Sequence, residues 1–231
     1  MHSDNAHPRK GAFFGRRKGH ALRPRQAALL DTLLPRLALD LAQPAPADLR
    51  TLFDDAQDVR LESGFGGGEH LVAEAERHPR TGFIGIEPFV NGMAKALALI
   101  DERKLQNIRL HHGDATDVLA WLPAASLARF DLIYPDPWPK RRHWKRRFVQ
   151  DGSVAAIGRV VRPQGEFRFA SDIPDYVAWT LNRLLRSPHF VWTAEQADDW
   201  RAPWPGFTRT RYEAKAVREG RVPCYLIFRR K

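Results

Sequence analysis

One short stretch sets the architecture of the chain: Glu62-Ser-Gly64-Phe-Gly66-Gly67-Gly68. It follows an apolar run over residues 59–62 and precedes a longer amphipathic run over residues 68–78. A strand, a glycine turn and a helix in this order form the first half of a βαβ unit. Glycine permits the sharp turn and the close approach of a ligand, and a helix begins with N–H groups that have no partner inside it. The stretch predicts a ligand site at the end of the first strand, although a plain strand–helix turn would use the same glycines.

Short apolar runs alternate with longer amphipathic ones along the rest of the chain. The predicted strands are residues 59–62, 82–87, 108–111, 130–134, 166–171, 189–193 and 223–229. The predicted helices are residues 68–78, 91–103, 117–122, 148–161 and 175–186. Strands that alternate with helices indicate the α/β class, with a doubly wound, mostly parallel seven-stranded sheet and helices on both faces. Right-handed crossovers then bring the loops after the strands to one edge of the sheet, where ligands bind in such folds.

The N-terminal part differs from this pattern. Residues 1–20 carry a basic cluster and no apolar periodicity, so they are predicted to form a flexible basic arm. Residues 21–46 predict a helical lead-in, in which a helix begins at Pro24 and is disrupted at Pro35. The length of 231 residues suits one sizeable domain, which residues 21–231 are expected to form.

Composition excludes several classes of protein. The single cysteine, Cys224, rules out an intrachain disulfide framework and a cysteine-cluster metal site. No run of about 18 apolar residues is present, so no membrane span is expected. Residues 1–20 are too polar for a secretory signal, and together with the lone thiol this predicts a cytoplasmic protein.

The net charge of +10 is unevenly distributed. Residues 1–36, 137–200 and 201–231 carry net charges of +6, +4 and +7, whereas residues 37–136 carry −7. Charge that only solubilises a surface has little reason to separate in this way. The basic excess indicates a polyanionic partner, foremost a nucleic acid.

The glycine stretch favours a cationic ligand over a dinucleotide. A dinucleotide fingerprint that begins at Gly64 requires Gly or Ala at position 69, where this chain has Glu69. That carboxylate would face a pyrophosphate at close range, which is unfavourable. Glu62, at the end of the first strand, suits a positively charged ligand such as S-adenosylmethionine (SAM), which carries a sulfonium and an ammonium group. The loop therefore favours SAM over NAD.

Two more acidic residues follow the next two strands. Glu87 ends the second strand, where an acid accepts the ribose hydroxyls of SAM or NAD. Asp114 follows the third strand and either bonds the adenine amino group or caps a helix, although Asp117 is the stronger candidate for capping the next helix. Glu62, Glu87 and Asp114 on successive strand ends together indicate a nucleoside site.

The fourth strand leads into Tyr134-Pro-Asp136-Pro-Trp138-Pro-Lys140. Three alternating prolines fix the backbone, so this segment is predicted to be a stiff loop that presents Asp136 and Trp138 beside the cofactor. Six Lys and Arg residues lie within residues 140–147, interleaved with a histidine and a tryptophan. This run is predicted to bind phosphates and to stack on bases, and a solvated basic face is the alternative.

Five motifs together resemble the bacterial tRNA (guanine-N7)-methyltransferases. They are Glu62-x-Gly-x-Gly-x-Gly, Ile84-Gly-Ile-Glu87, Gly113-Asp-Ala, Pro135-Asp-Pro-Trp-Pro-Lys140 and Thr210-Arg-Tyr-Glu213. The resemblance extends over essentially the whole chain after residue 13, and the Pro-Asp-Pro-Trp-Pro-Lys run is its most specific part. Departures from the family pattern are mild: Arg141 stands where Lys is common, and Arg211-Tyr212 where Lys-Phe is usual.

The resemblance implies the Rossmann-like fold of SAM-dependent methyltransferases and methyl transfer from SAM to N7 of guanosine 46, in the variable loop of tRNA. By matching position, Asp136 is implied to be the catalytic residue and a cofactor contact, together with Glu62, Gly64, Gly66, Gly68, Glu87 and Asp114. The implied substrate contacts are Lys140, Asp172, Thr210, Arg211, Tyr212 and Glu213. The basic run is predicted to add Arg146 and Arg147. We expect no metal, no membrane attachment and no obligate protein partner.

The implied chemistry places few demands on the protein. Guanine N7 carries a lone pair and no proton, so the task is to hold it in line with the sulfonium methyl group. Methylation moves positive charge onto the purine, which the Asp136 carboxylate would stabilise. Asp172 either adds to this effect or caps the helix that begins near Pro174. Thr210 and Glu213 also have the form of a capping box and would start a short helix.

Three other functions fit parts of the sequence. Asp136-Pro-Trp is similar to the Asp-Pro-Pro-aromatic motif of exocyclic-amine methyltransferases, but Trp138 replaces the second proline. A non-catalytic RNA-binding protein would keep the fold and the basic charge without binding SAM. An NAD-linked oxidoreductase fits least, because Glu69 breaks the dinucleotide fingerprint.

Overall fold

The computed structural model describes residues 19–231, so the arm predicted over residues 1–20 lies outside the described residues except for its last two. The strands of the described chain are β1 Asp58–Ser63, β2 Thr81–Ile86, β3 Ile108–His111, β4 Leu127–Ile133, β5 Val161–Ser171, β6 Phe190–Trp192 and β7 Cys224–Arg230. They form one sheet in the order β3-β2-β1-β4-β5-β7-β6. The first five strands run parallel, and β7 runs antiparallel to both of its neighbours. The predicted α/β class and its seven strands are confirmed.

Helices cover both faces of this sheet. They are α1 Pro24–Thr32, α2 Leu34–Leu37, α3 Glu69–Arg77, α4 Val90–Arg103, α5 Ala115–Trp121, α6 Asp151–Val160, α7 Pro174–Arg186, α8 Asp198–Arg201 and α9 Arg211–Arg218. All five helices predicted in the sheet region are present, and their ends moved by at most three residues. Within residues 19–231, no helix has the length and apolar content to cross a lipid bilayer.

The lead-in forms two helices rather than one helix that a proline disrupts. α1 begins at Pro24 as predicted and ends at Thr32, before Pro35 is reached. Pro35 is the second residue of α2. A proline in a first turn costs no helical hydrogen bond, because the first N–H groups of a helix have no partner there. Ala38 then forms a parallel bridge with Leu110, which attaches the lead-in to the β3 edge.

Two strands begin at least three residues earlier than predicted, β4 at Leu127 and β5 at Val161. Pro and Gly within Arg162-Pro-Gln-Gly165 indicate a turn, so the sequence predicts a later start for β5. In the structure, Leu127 pairs with Val161 before a register shift, and φ of Gln164 is +64°. An irregular extension of the ladder therefore accommodates the turn residues.

The sheet brings the carboxyl ends of five parallel strands to one edge. All six residues of β2 are buried, as expected for a parallel strand between two helical layers. β7 returns antiparallel to β5, and its first residue, Cys224, pairs with Ser171 at the end of β5. The residues just before β7 therefore reach the same edge as the loops after β1 to β5.

Candidate active site

The glycine loop joins β1 to α3 through three left-handed residues, with φ of +72° at Gly64, +60° at Gly66 and +82° at Gly68. Only glycine adopts this conformation without strain. A Cβ at Gly68 would lie 2.7 Å from the Cβ of Ala96, so α4 packs directly against the loop. A Cβ at Gly64 would meet no atom within 4 Å. The loop is supported at one end and open at the other, where its backbone is accessible to a ligand.

Glu69 lies over the same loop at the start of α3. Its Oε1 would be 2.6 Å from a Cβ placed on Gly67. The first turn of a helix attracts anions, and here a carboxylate of the chain already lies there. A pyrophosphate would be repelled from this position, which supports the expectation that the loop does not bind a dinucleotide.

Glu87, just after β2, ties two loops together. Its Oε2 accepts the N–H of Gly66 at 2.6 Å, and its Oε1 accepts the N–H of Phe89 at 2.8 Å. Burial raises the pKa of Glu87 to about 7, although these bonds favour the carboxylate. The structure places Glu87 beside the glycine loop, where the sequence predicts it.

Glu62 is buried at the end of β1, with its carboxylate turned towards α3. Its Oε2 lies 2.8 Å from Nδ1 of His70, and the side chains are 4% and 1% exposed. Burial raises the pKa of Glu62. Burial lowers the pKa of His70, but the charge of Glu62, its hydrogen bond to the ring and the nearby carboxylates of Asp131 and Glu74 together raise that pKa above its ordinary value. His70, which holds the Glu62 carboxylate, is a residue that the sequence reasoning missed.

A second group of buried charges lies next to this pair. Arg129 on β4 donates through Nε to Oδ2 of Asp131 at 2.8 Å and through Nη2 to the carboxylate of Glu74 on α3. These three side chains are at most 7% exposed. A guanidinium between two carboxylates offsets much of their desolvation cost. The group fixes α3, and with it the glycine loop, against β4.

Asp114 is the N-cap of α5. Its Oδ1 accepts the N–H of Thr116 at 2.9 Å and the hydroxyl of Thr116 at 2.8 Å. The prediction that Asp117 caps this helix is wrong, because α5 begins at Ala115 and Asp117 already lies in its first turn. Of the two roles considered for Asp114, the cap is observed, and contact with adenine stays a prediction.

The loop after β4 holds two residues in a conformation that is unusual next to proline. φ is +51° at Tyr134 and +43° at Trp138, and each of them precedes a proline. Residues before proline favour extended backbone, and bulky residues seldom adopt positive φ. Backbone strain is therefore stored on both sides of Asp136. The Tyr134 side chain packs against a cluster formed by Trp204, Phe207, Tyr225, Ile133 and Ala170.

Asp136 lies in the middle of this loop. The residue is exposed, yet protein atoms crowd its carboxyl group closely enough for desolvation to raise its pKa. Its charge also adds to the effect of burial on the pKa of Glu87. The ends of β2 and β4 therefore bring these two carboxyl groups close enough for their charges to interact.

The basic run continues this loop as a short 3-10 helix, Arg141–Arg146. Its exposed cations are Lys140, Arg141, Arg142 and Lys145. The Arg146 guanidinium lies 5.0 Å from the centre of the Trp138 ring, and the His143 ring lies edge-on to Trp138 at 5.8 Å. Exposed cations beside a half-buried tryptophan suit an anionic chain that carries stacking bases.

Arg147, the last residue of the basic run, has a side chain that is 0% exposed. Its Nε donates to the carbonyl of Pro137 at 2.8 Å, and its Nη2 donates to Asp175. This burial corrects the prediction that Arg147 contacts tRNA, because a guanidinium without solvent access does not reach a phosphate.

The segment that begins at Thr210 starts α9, but only half of the predicted capping box forms. The Thr210 hydroxyl accepts the N–H of Glu213 at 3.2 Å, whereas the Glu213 carboxylate accepts the hydroxyl of Tyr225 at 2.7 Å. Between them, Arg211 and Tyr212 are exposed. A Cβ at Gly66 would lie 3.4 Å from the Tyr212 ring and 3.8 Å from Nη2 of Arg211. The segment therefore lies over the glycine loop.

Asp172, after β5, is already paired within the chain. Nε of Arg221 donates to its Oδ2 at 2.5 Å. The alternative in which Asp172 caps the next helix is wrong, because α7 has Ile173 as its N-cap and no side chain caps it. Arg221, from the loop before β7, is a second residue that the sequence reasoning missed at this edge.

Within the described residues, a cavity lies away from this site, and no cluster of metal ligands adds to it. A cavity of about 320 Å³ at the opposite edge, near Gln106 and Arg109, includes none of the predicted site residues. Among residues 19–231, no group of three or more His, Cys, Asp and Glu side chains is placed to hold a metal ion.

Comparison with known proteins identifies the family. Residues 56–225 match the sequence model of a family described as "Putative methyltransferase". The chain is 65% identical to the tRNA (guanine-N(7)-)-methyltransferase of Rhodopseudomonas palustris (strain BisA53), over 99% of this chain and 92% of that protein. The chain belongs to the tRNA (guanine-N7)-methyltransferase family. Another tRNA (guanine-N(7)-)-methyltransferase, from R. palustris (strain BisB18), is 68% identical over 95% of this chain and 88% of its own length.

Solved structures support the fold of the family. The 16S rRNA methyltransferase KamB superposes with a TM-score of 0.55 at 15% identity, over 82% of this chain and 95% of that one. TrmN from Thermus thermophilus superposes with a TM-score of 0.54 at 14% identity, over 89% of this chain and 48% of that one. The predicted Rossmann-like methyltransferase fold is confirmed.

Proposed function

We propose that this member of the family transfers a methyl group from SAM to N7 of the guanine at position 46, in the variable loop of tRNA. The proposal depends above all on the meeting of opposite charges at one sheet edge. The carboxylates of Glu87 and Asp136 lie beside an exposed basic helix, in a chain 65% identical to a tRNA (guanine-N(7)-)-methyltransferase. A cationic cofactor suits the carboxylates, and an anionic tRNA suits the basic helix.

The cofactor side fits SAM. Backbone is accessible at Gly64, and each Glu87 oxygen that accepts an N–H retains a lone pair for a ribose hydroxyl. Arg211, over the same loop, supplies a cation for the carboxylate of the ligand. We assign further acidic contacts to Glu62, Asp114 and Asp136. When bound, SAM supplies an electrophilic methyl group.

The protein contributes orientation and charge to the reaction. N7 needs no general base, so Asp136 is assigned to the stabilisation of positive charge as it develops on the purine. The strained backbone at Tyr134 and Trp138 supports this role, because such strain concentrates at functional sites. We assign contacts with tRNA to Lys140, Arg146, Asp172 and the segment from Thr210 to Glu213.

The test is nucleoside analysis of tRNA methylated by the purified protein. Unmodified tRNA and methyl-labelled SAM should give 7-methylguanosine, and replacement of guanine 46 should abolish it. Replacement of a guanine outside the variable loop is the matched control and should leave the product unchanged. N2-methylguanosine or N6-methyladenosine would instead indicate an exocyclic-amine methyltransferase, and tRNA binding without SAM binding would indicate a non-catalytic RNA-binding protein.

We also propose that residues 21–231 act as a single domain in the cytoplasm, without an obligate protein partner. The proposed chemistry needs no metal, because N7 is nucleophilic without activation. Full activity of the purified protein alone, in the presence of a chelator, would support a reaction that needs neither a protein partner nor a metal ion.

A further inference from the structure

Arg147 is a fully buried cation beside the candidate active site. Its guanidinium carbon lies 4.9–5.1 Å from the centres of three aromatic rings, Trp144, Tyr176 and Trp179. Its Nη1 has no hydrogen-bond partner. Burial of a charge with incomplete pairing is costly, and an apolar side chain of similar volume often gives equal or greater stability. The stability of the fold therefore does not explain why an arginine occupies this position, and its contacts point to another role.

The contacts of Arg147 indicate that role. Its Nε donates to the carbonyl of Pro137 at 2.8 Å. The ring of Pro137 fixes φ, so a fixed carbonyl direction also sets ψ, the other free dihedral of that residue. The next residue is Trp138, with its strained φ of +43°. Arg147 thus locks the backbone immediately after Asp136.

We propose that Arg147 is a positioning residue, which holds the Pro137 carbonyl and so fixes the direction in which Asp136 faces the reacting purine. It does not bind tRNA phosphates. The exposed cations of residues 140–145 bind the substrate, whereas Arg147 shapes the loop beneath them. The inference rests on the proposed function, because that function assigns Asp136 to the reacting base.

The test compares Arg147→Met, Arg147→Lys and Asp175→Asn in the full chain. Met fills the space between the rings without the bond to Pro137, and Lys keeps the charge without the planar fork that reaches two partners. Asp175→Asn is the matched control: it removes the ion pair at a carboxylate that is 57% exposed and leaves the bond to Pro137 in place. The measurements are kcat and KM for tRNA methylation, Kd for S-adenosylhomocysteine, the salt dependence of tRNA binding, and the rate of trypsin cleavage within residues 140–143.

Both Arg147 variants should lower kcat by about 10- to 100-fold, as expected for a misplaced catalytic group. They should also be cut faster by trypsin, with KM, Kd and salt dependence as in the wild type. Asp175→Asn should keep the wild-type kcat.

Wild-type kcat and wild-type cleavage in Arg147→Lys would overturn the proposal, and so would a reduced salt dependence at wild-type kcat. If Arg147→Met does not fold, Arg147→Lys and Asp175→Asn give the same comparison. If the wild-type protein methylates no tRNA, the proposed function fails, and the cleavage rates still decide whether Arg147 holds the loop.

Discussion

Gly92→Ala should disrupt the cofactor site from the side of α4. A Cβ at Gly92 would lie 2.3 Å from the carbonyl oxygen of Gly66, whereas ordinary contacts begin at 3.4 Å. The glycine loop would have to retreat by about 1 Å, and overpacking of this kind costs about 1–3 kcal/mol. The same movement would break the 2.6 Å bond between Gly66 and Glu87. A hydrogen bond to a charged group contributes about 2 kcal/mol.

The higher helix propensity of alanine stabilises α4 by about 1 kcal/mol and offsets part of these two costs. The free energy of unfolding should therefore fall by about 3 kcal/mol in total. Because the moved loop is the proposed cofactor contact, the affinity for S-adenosylhomocysteine should fall about 10- to 30-fold. Urea denaturation measures the first effect, and calorimetry measures the second.

Gly152→Ala is the matched control for this substitution. Gly152 also lies in the first turn of a helix, α6, and its Cβ would meet no atom within 4 Å. This variant should gain about 0.5 kcal/mol and bind the ligand as the wild type does. If Gly92→Ala binds S-adenosylhomocysteine as tightly as Gly152→Ala, the glycine loop is not the cofactor site as described.

Two further predictions concern pH and salt. Because burial raises the pKa of Glu87 to about 7, its carboxyl group is mostly protonated at pH 6, and the affinity for S-adenosylhomocysteine should fall about tenfold from pH 8 to pH 6 in calorimetry. A pH-independent affinity would contradict the role of Glu87 with ribose. The raised pKa also means that Glu87 stabilises the ligand-free fold below its ordinary pKa of 4.5, and that this contribution is lost as the pH rises through about 7. Arg142→Gln and Lys145→Gln should each lower the slope of log affinity for tRNA against log salt by about one, whereas Arg80→Gln, at the opposite edge of the sheet, should not change it. Equal slopes in all three variants would remove the phosphate role of the basic run.

The sheet could be predicted from sequence because its central strands are buried on both faces. A parallel strand between two helical layers is mostly apolar, and the glycines and acids that follow the first strands mark where they end. β5 contains turn residues within the strand, as at Gln164. The proline and glycine there indicated a turn, so the predicted start of β5 was too late.

The site could be predicted only in part, because several contacts join residues far apart in sequence. Arg147 ends a run of cations that the local pattern predicts to be exposed, either to bind phosphates or as a solvated face. The groups that bury it, Asp175, Tyr176 and Trp179, come from α7, about 30 residues later. The sequence of residues 140–147 contains no pattern from which contact with these α7 residues could be predicted.

His70 left a signal that could have been used. His70 and Glu74 stand four residues apart, so they share one face of α3, and both are buried. Polar residues on the buried face of a helix require partners in the sheet. Glu62, which lies on the preceding strand and close in sequence, could therefore have been predicted as the partner of His70.

Asp136→Asn tests most directly whether two ligands of opposite charge meet at this loop. The substitution keeps the shape of the side chain and removes the charge assigned to the developing cation. Binding of S-adenosylhomocysteine should be retained at least in part, because the other cofactor contacts remain, while 7-methylguanosine formation in tRNA should fall by about 100-fold or more. Equal rates of methylation in the variant and the wild type would contradict the assignment of Asp136 and the charge-based account of the site.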